Sequence, residues 1–120
     1  MLKIDSKTKQ INLTRGDIAN FNISAKNDDG TNYQFQVEDE IKLSIYEKKD
    51  YSKLILTKSV VVNEATENVV LSLTSQETKI GDIINKPVDY WYEIQLNNEQ
   101  TIIGYDEDGA KIFRLYPEGE

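Results

Sequence analysis

The stretch YWYEIQL, residues 90–96, places its side chains on two faces in strict alternation. The positions of one face are apolar or aromatic, namely Tyr90, Tyr92, Ile94 and Leu96. Trp91 falls on the opposite face with Glu93 and Gln95. A period of two in a run rich in aromatic and branched residues predicts a half-buried β-strand.

The same period recurs in IKLSIYE (residues 41–47), VVLSL (69–73) and FNISA (21–25). The predicted strands are 2–5, 10–14, 18–26, 32–36, 40–47, 53–62, 68–73, 89–97, 100–104 and 110–116. So many short strands do not fit one flat sheet, and two packed sheets are the natural solution. The sequence therefore predicts an all-β, antiparallel two-sheet sandwich in a single domain, residues 1–120, whose last few residues form a flexible tail.

Tight turns are predicted between these strands. Asp29-Gly30 and Asp108-Gly109 are pairs that tolerate positive φ and favour hairpins, and Asn97-Asn98 is a further hairpin candidate. The stretch LTSQETKIGDI (73–83) departs from the period of two: Thr74 or Ser75 is a candidate N-cap, Glu77 or Thr78 falls in the first turn, and Gly81 follows as a stop signal. It predicts one short helical turn near residues 74–80.

The composition excludes several classes of site. The 120 residues include no Cys and no His, which removes thiol chemistry, zinc sites of the usual kind and histidine-based triads. The acidic run Asp106-Glu107-Asp108-Gly109 does not have the spacing of an EF-hand loop, and a hairpin turn explains it. Carboxylates cluster at predicted turns, where nothing raises a pKa. We therefore predict no enzyme, no catalytic residue, no cofactor and no metal.

The charge is unevenly distributed along the chain. Residues 1–60 hold ten Lys/Arg and nine Asp/Glu, whereas residues 61–120 hold four and twelve, giving −7 in total. An acidic surface repels phosphate backbones, so no nucleic-acid partner is expected. The polar start MLKIDSKTKQ has no secretory signal, and no stretch is apolar enough to insert into a membrane. The chain is expected to be made and folded in the cytoplasm.

Aromatic residues form the candidate interaction surface. Trp91, with Tyr46 and Tyr105, is a contact candidate if the face opposite the core is exposed. Flat rings of this kind stack on sugars, which is one interpretation. The other is a contact with a neighbouring protein chain, since tryptophan is rarely left bare on a monomer.

The tripeptide Arg15-Gly16-Asp17 lies within INLTRGDIANF (11–21), between two predicted strands. Gly16 permits a left-handed backbone, and Asp17 can accept hydrogen bonds from nearby amides. Arg15 is then available to pair with acidic side chains. We interpret the tripeptide as a structural turn rather than as an integrin-recognition motif.

Several short sequence motifs follow one another along the chain. They are INLTRGDIANFNI (11–23), EDEIKLSIYE (38–47), VVLSLTSQET (69–78), YWYEIQL, TIIGY (101–105) and KIFRLYPEG (111–119). This string resembles small immunoglobulin-like β-sandwich modules in the virions of Gram-positive tailed phages and in phage-tail-like particles. Among these modules, the sequence resembles the N-terminal domain of baseplate upper proteins. The resemblance covers roughly residues 10–116.

The resemblance implies an immunoglobulin-like topology and a non-catalytic role. In that family such a domain attaches a fibre or receptor-binding protein to the baseplate, or decorates the tail or capsid. The partners implied are other virion or tail subunits, including copies of the chain itself. The baseplate proteins continue into a longer C-terminal part, whereas this sequence stops at Glu120, so we expect a short structural or adaptor protein. A carbohydrate-binding module that engages the bacterial envelope is the alternative, and a phage-encoded regulator or chaperone is a third interpretation.

Overall fold

The computed structural model describes residues 2–4 and 9–118. The end of the first predicted strand, at residue 5, and the predicted tail at residues 119–120 lie outside these residues. Over the described part of the chain the protein has strands, turns and loops but no helix. The all-β prediction is therefore confirmed.

Nine strands form within the described residues. They are β1 (Leu2–Ile4), β2 (Ile11–Thr14), β3 (Ala19–Ile23), β4 (Glu40–Tyr46), β5 (Leu54–Val61), β6 (Val69–Leu73), β7 (Val88–Leu96), β8 (Gln100–Ile103) and β9 (Lys111–Tyr116). Each corresponds to a predicted strand, with ends that differ by a few residues. The alternation of apolar side chains is thus a reliable signal for these elements.

The described strands form two sheets. Seven of them make one sheet in the order β1-β2-β9-β7-β4-β5, in which β8 also pairs with β7 beyond the end of β9. The second sheet is the antiparallel pair β3-β6. The prediction of a purely antiparallel arrangement is wrong at one place, because β2 and β9 are parallel, with Ile11 opposite Phe113. Alternation along one strand carries no information about the direction of a distant partner.

A single core lies between the two sheets. The faces predicted to be apolar in β4, β6 and β7 are buried, except that Tyr90 of β7 is only partly buried; Tyr92, Leu71 and Leu43 are each at most 1% exposed. Burial raises the pKa of Tyr92, whose hydroxyl donates a hydrogen bond to the carbonyl oxygen of Lys9. Residues of both sheets therefore share one contiguous hydrophobic cluster.

The predicted strand at residues 32–36 is wrong. This segment makes only isolated bridges, from Asn32 to Lys26 and from Phe35 to Thr66. Phe35 is fully buried, and its ring meets that of Tyr33 edge-on with centroids 5.1 Å apart. The segment therefore contributes an aromatic side chain to the core without joining a ladder, which alternation alone does not distinguish from a strand.

The predicted helical turn near residues 74–80 does not develop into a helix. The capping pattern itself forms, since Thr74 N donates to Glu77 Oε1 at 2.9 Å and Glu77 N donates to Thr74 Oγ1 at 3.2 Å. One bond of helical spacing follows, from Thr78 N to Thr74 O at 3.1 Å. Gly81, at φ 68°, then continues in a left-handed conformation. The result is one hydrogen-bonded turn.

Candidate interaction surface

A row of apolar and aromatic side chains crosses the outer face of the large sheet. The strand register places Leu54 opposite Tyr46, Tyr46 opposite Trp91, and Trp91 opposite Ile112. These residues belong to four adjacent strands, β5, β4, β7 and β9. Their neighbours Ile45 and Tyr92 are buried in the core, so the row lies on the opposite face of the sheet. We call these four residues the outer row.

A cluster of polar contacts fixes the ring of Tyr46 beside Trp91. The Tyr46 hydroxyl donates to Glu93 Oε1 at 2.7 Å, and its ring centroid lies 5.3 Å from that of Tyr51. Burial first, and the hydrogen bond to Glu93 second, raise the pKa of Tyr46 above its ordinary value. The hydroxyl therefore remains a donor at neutral pH, and the pair presents an oriented carboxylate next to an indole.

Tyr51 reaches across from the loop between β4 and β5. Its hydroxyl accepts a hydrogen bond from the backbone N–H of Lys111 at 3.2 Å, where β9 begins. Its backbone is left-handed, at φ 60°. Tyr51 was not predicted as a member of this surface, because nothing in an irregular loop sequence indicates which strand its side chain will reach.

The predicted surface residues do not all lie together. Trp91 and Tyr46 are adjacent and partly buried. Tyr105 is 69% exposed in the loop between β8 and β9, where it lines a hollow of about 240 Å³ with Lys9 and Lys111. Tyr105 is therefore not part of the outer row.

The Arg15-Gly16-Asp17 tripeptide lies in the connection from β2 to β3, which passes from one sheet to the other. The Arg15 side chain is directed into the protein, and the residue is only 8% exposed. Its guanidinium donates to the carbonyl oxygens of Ile80 at 3.2 Å and Gly81 at 2.8 Å, and it forms an ion pair with Glu118. Arg15 thus joins three segments that are distant in sequence.

Thr78 holds the remainder of the tripeptide. Gly16 N donates to Thr78 Oγ1 at 3.1 Å, and this hydroxyl donates in turn to the carbonyl oxygen of Asp17 at 2.7 Å. Thr78 is fully buried, and Gly16 has φ 90°. The amide of Asp17 donates to Thr14 O at 3.1 Å, closing a tight turn. A fully buried threonine in a polar stretch was not predicted from the sequence.

Hydrogen bonds lower the pKa of several carboxyl groups. Among the described residues, six carboxyl groups have a displaced pKa, and all six are lowered: Asp29, Asp39, Glu47, Asp50, Glu77 and Asp106. In Asp106 the main cause is the hydrogen bond from the Lys111 ammonium at 2.6 Å. Among the residues that the structure describes, no three His, Cys, Asp or Glu side chains are grouped to hold a metal ion.

Comparisons with protein-family models, with curated proteins and with solved structures found no match to the chain. Within the described ranges, no helix has the length and apolar character needed to cross a membrane.

Proposed function

We propose that the chain is a non-catalytic structural or adaptor protein of a bacteriophage or phage-tail-like particle, at the baseplate, the tail or a fibre attachment. It is made in the host cytoplasm, has an immunoglobulin-like topology, and acts through contacts with other particle subunits. The proposed role in a particle rests on the resemblance of the ordered sequence motifs to virion modules of tailed phages. The two-sheet architecture and its shared core support the topology.

The outer row is the observation that carries the protein–protein role. Tryptophan and tyrosine are enriched at the centres of protein interfaces, where they combine a large apolar area with a polar group. Trp91 occupies the middle of the row, and the Asp89–Arg114 ion pair, with N–O 2.6 Å, lies on the neighbouring rung of β7 and β9. An apolar centre beside a fixed charged pair has the layout of an interface core and its rim.

The lowered carboxyl pKa values support a non-catalytic role. A carboxyl group that acts as a general acid at neutral pH needs a pKa raised by burial or by a like charge. The displaced carboxyl groups of this protein shift in the opposite direction, because they accept hydrogen bonds from amides, hydroxyls and ammonium groups. They are suited to holding turns in place.

Mass spectrometry of phage or tail-like particles, purified from the bacterium that encodes the chain, tests this function. We expect stoichiometric copies of the chain in the particles. Trp91→Ala in the encoded copy should reduce its incorporation at least tenfold, while the matched aromatic control Tyr105→Ala, outside the row, should be incorporated normally. Absence of the unmodified chain from particles would overturn the particle role, and normal incorporation of Trp91→Ala would overturn the role of the row.

A carbohydrate-binding module is the second candidate function. It is favoured by the Glu93 carboxylate that Tyr46 orients beside Trp91, because aromatic rings and fixed carboxylates together recognise sugar rings and hydroxyls. Titration with cell-wall glycan fragments should then show binding that Trp91→Ala and Glu93→Gln abolish and Tyr105→Ala preserves. Unmodified protein that binds none of the fragments at millimolar concentration would eliminate this candidate.

A further inference from the structure

We propose that the free edge of β5 pairs with β5 of a second copy of this chain, in an antiparallel two-fold arrangement that joins the two large sheets. The inference rests on the proposed adaptor function and names one of its partners. It concerns the edge of β5, which shares only Leu54 with the outer row, and the variants that test it leave the row unchanged, so the two can fail independently.

β5 is an exposed edge strand. It is the last strand in the order of the large sheet, and no other described strand pairs with its outer side. Three of its large apolar side chains are exposed: Leu54 at 56%, Ile55 at 37% and Val61 at 56%. An eight-residue edge with free N–H and C=O groups and apolar side chains is a template for another strand.

A bulge in β5 places both ends of the strand on one face. Leu54 is opposite Tyr46 and Val61 is opposite Glu40, and these two β4 residues point to the same side of the sheet. Leu54 and Val61 are seven positions apart, an odd spacing that would put them on opposite faces of a regular strand. The extra residue at Ile55 corrects the alternation, so the exposed apolar ends face the same way.

β5 is complementary to itself when the two-fold axis passes through Lys58. In that register Thr57 of one copy is opposite Ser59 of the other, and Leu56 is opposite Val60. The bulged end at Ile55 then meets Val61 of the second copy. Hydroxyl thus faces hydroxyl and aliphatic faces aliphatic at every rung except the central one, where Lys58 faces Lys58; the flanking rungs are favourable cross-strand pairs.

The one charge in the strand is already neutralised. Lys58 lies on the core-side face, and its ammonium binds both oxygens of Glu77 at 3.0 and 3.1 Å. A bare inward lysine would prevent edge pairing, but this one forms an ion pair with its own chain. The two-fold axis brings two such ion pairs near each other, and Glu77 neutralises each Lys58 within its own chain. The matched rungs, Thr57 with Ser59 and Leu56 with Val60, favour a second copy over an unrelated strand.

Variants with introduced charges test both the edge and the register, by analytical ultracentrifugation at protein concentrations up to about 0.5 mM. The unmodified chain should form dimers. One double variant, Thr57→Lys with Ser59→Lys, and another, Thr57→Glu with Ser59→Glu, should each be monomeric, because like charges face one another. An equimolar mixture should form heterodimers, because introduced lysines then face introduced glutamates. The control Asn20→Lys with Asn22→Lys, at exposed β3 positions of the same spacing, should remain dimeric.

Each result decides the inference. A monomeric unmodified chain, or charged variants that still dimerise, would overturn the β5 contact. Charged variants that are monomeric but do not associate when mixed would overturn the register. If the charged variants do not fold, Thr57→Cys mixed with Ser59→Cys replaces them. The sequence contains no other cysteine, so the mixture should form a disulfide-linked dimer, and its failure to do so counts against the register. A monomeric chain that is nevertheless incorporated into particles would leave the proposed function intact while removing this inference.

Discussion

Replacement of Arg15 by alanine distinguishes a structural arginine from a recognition arginine. The guanidinium donates to the carbonyl oxygens of Ile80 and Gly81, and a hydrogen bond from a charged donor contributes about 1.5 kcal/mol or more to stability. Two such bonds amount to about 3 kcal/mol. The ion pair with Glu118, whose side chain is 38% exposed, adds less than about 1 kcal/mol. We expect Arg15→Ala to reduce the free energy of unfolding by 3 to 4 kcal/mol (approximate values).

Urea denaturation followed by Trp91 fluorescence and circular dichroism measures this loss, which should correspond to a decrease in Tm of roughly 12–16 °C in a thermal melt. Arg15→Lys retains the charge but not the planar fork, and we expect it to lose about half as much. Lys86→Ala, an exposed residue of the neighbouring loop, is the control and should change stability by less than about 0.5 kcal/mol. If Arg15→Ala were as stable as Lys86→Ala, the buried hydrogen-bond network would not contribute as we describe.

Four further substitutions, at Gly104, Gly16, Gly30 and Glu77, test individual contacts by thermal denaturation. In Gly104→Ala the new Cβ would lie 2.5 Å from Thr101 Cγ2, so we expect the free energy of unfolding to fall by about 1–3 kcal/mol. Adding Thr101→Ser removes that methyl group and should restore most of the lost stability. A double variant no more stable than Gly104→Ala would contradict this. Gly16→Ala and Gly30→Ala, at φ +90° and +88°, should each lose about 1 kcal/mol from backbone strain, and a much larger loss at Gly16 alone would show that crowding dominates. The pKa of Glu77 is lowered, chiefly by the hydrogen bond from the Thr74 backbone amide and then by the one from Lys58. The stability that Glu77 contributes is therefore present above the ordinary carboxyl pKa and is lost as the pH falls through the pKa of the folded state. Glu77→Gln should have a lower Tm than the unmodified protein at pH 7, and an equal difference at pH 3 would refute this.

The sequence predicted the elements whose signal is local. The core face of β7 and the capping contact between Thr74 and Glu77 both depend on residues a few positions apart, and both form. The short helical turn expected after the cap is limited to one hydrogen-bonded turn. The hydroxyl of Thr78 bonds to the carbonyl oxygen of Asp17, so the turn is determined by the β2–β3 connection as well as by its own residues. Tertiary contact overrides propensity in such a short segment.

What the sequence did not predict depends on distant partners. The parallel pairing of β2 with β9 joins strands that are far apart in sequence, and the position of Tyr51 depends on the hydrogen bond that its hydroxyl accepts from the backbone N–H of Lys111. The candidate surface was therefore only partly predictable. Trp91 and Tyr46 follow from alternation, whereas their adjacency requires the β4–β7 register.

The two proposed contacts are geometrically linked through Leu54, which ends the outer row and begins β5. Directly opposed residues of an antiparallel pair point to the same side of a sheet. A dimer formed through β5 would therefore present the outer rows of both copies on one face of a continuous sheet. Two weak contacts made from one rigid face increase the apparent affinity without any new contact, because the second binding event becomes intramolecular. The charged β5 variants should then attach more weakly to a multivalent particle even though Trp91 is unchanged. Trp91→Ala should also weaken attachment, but it should leave the dimer intact.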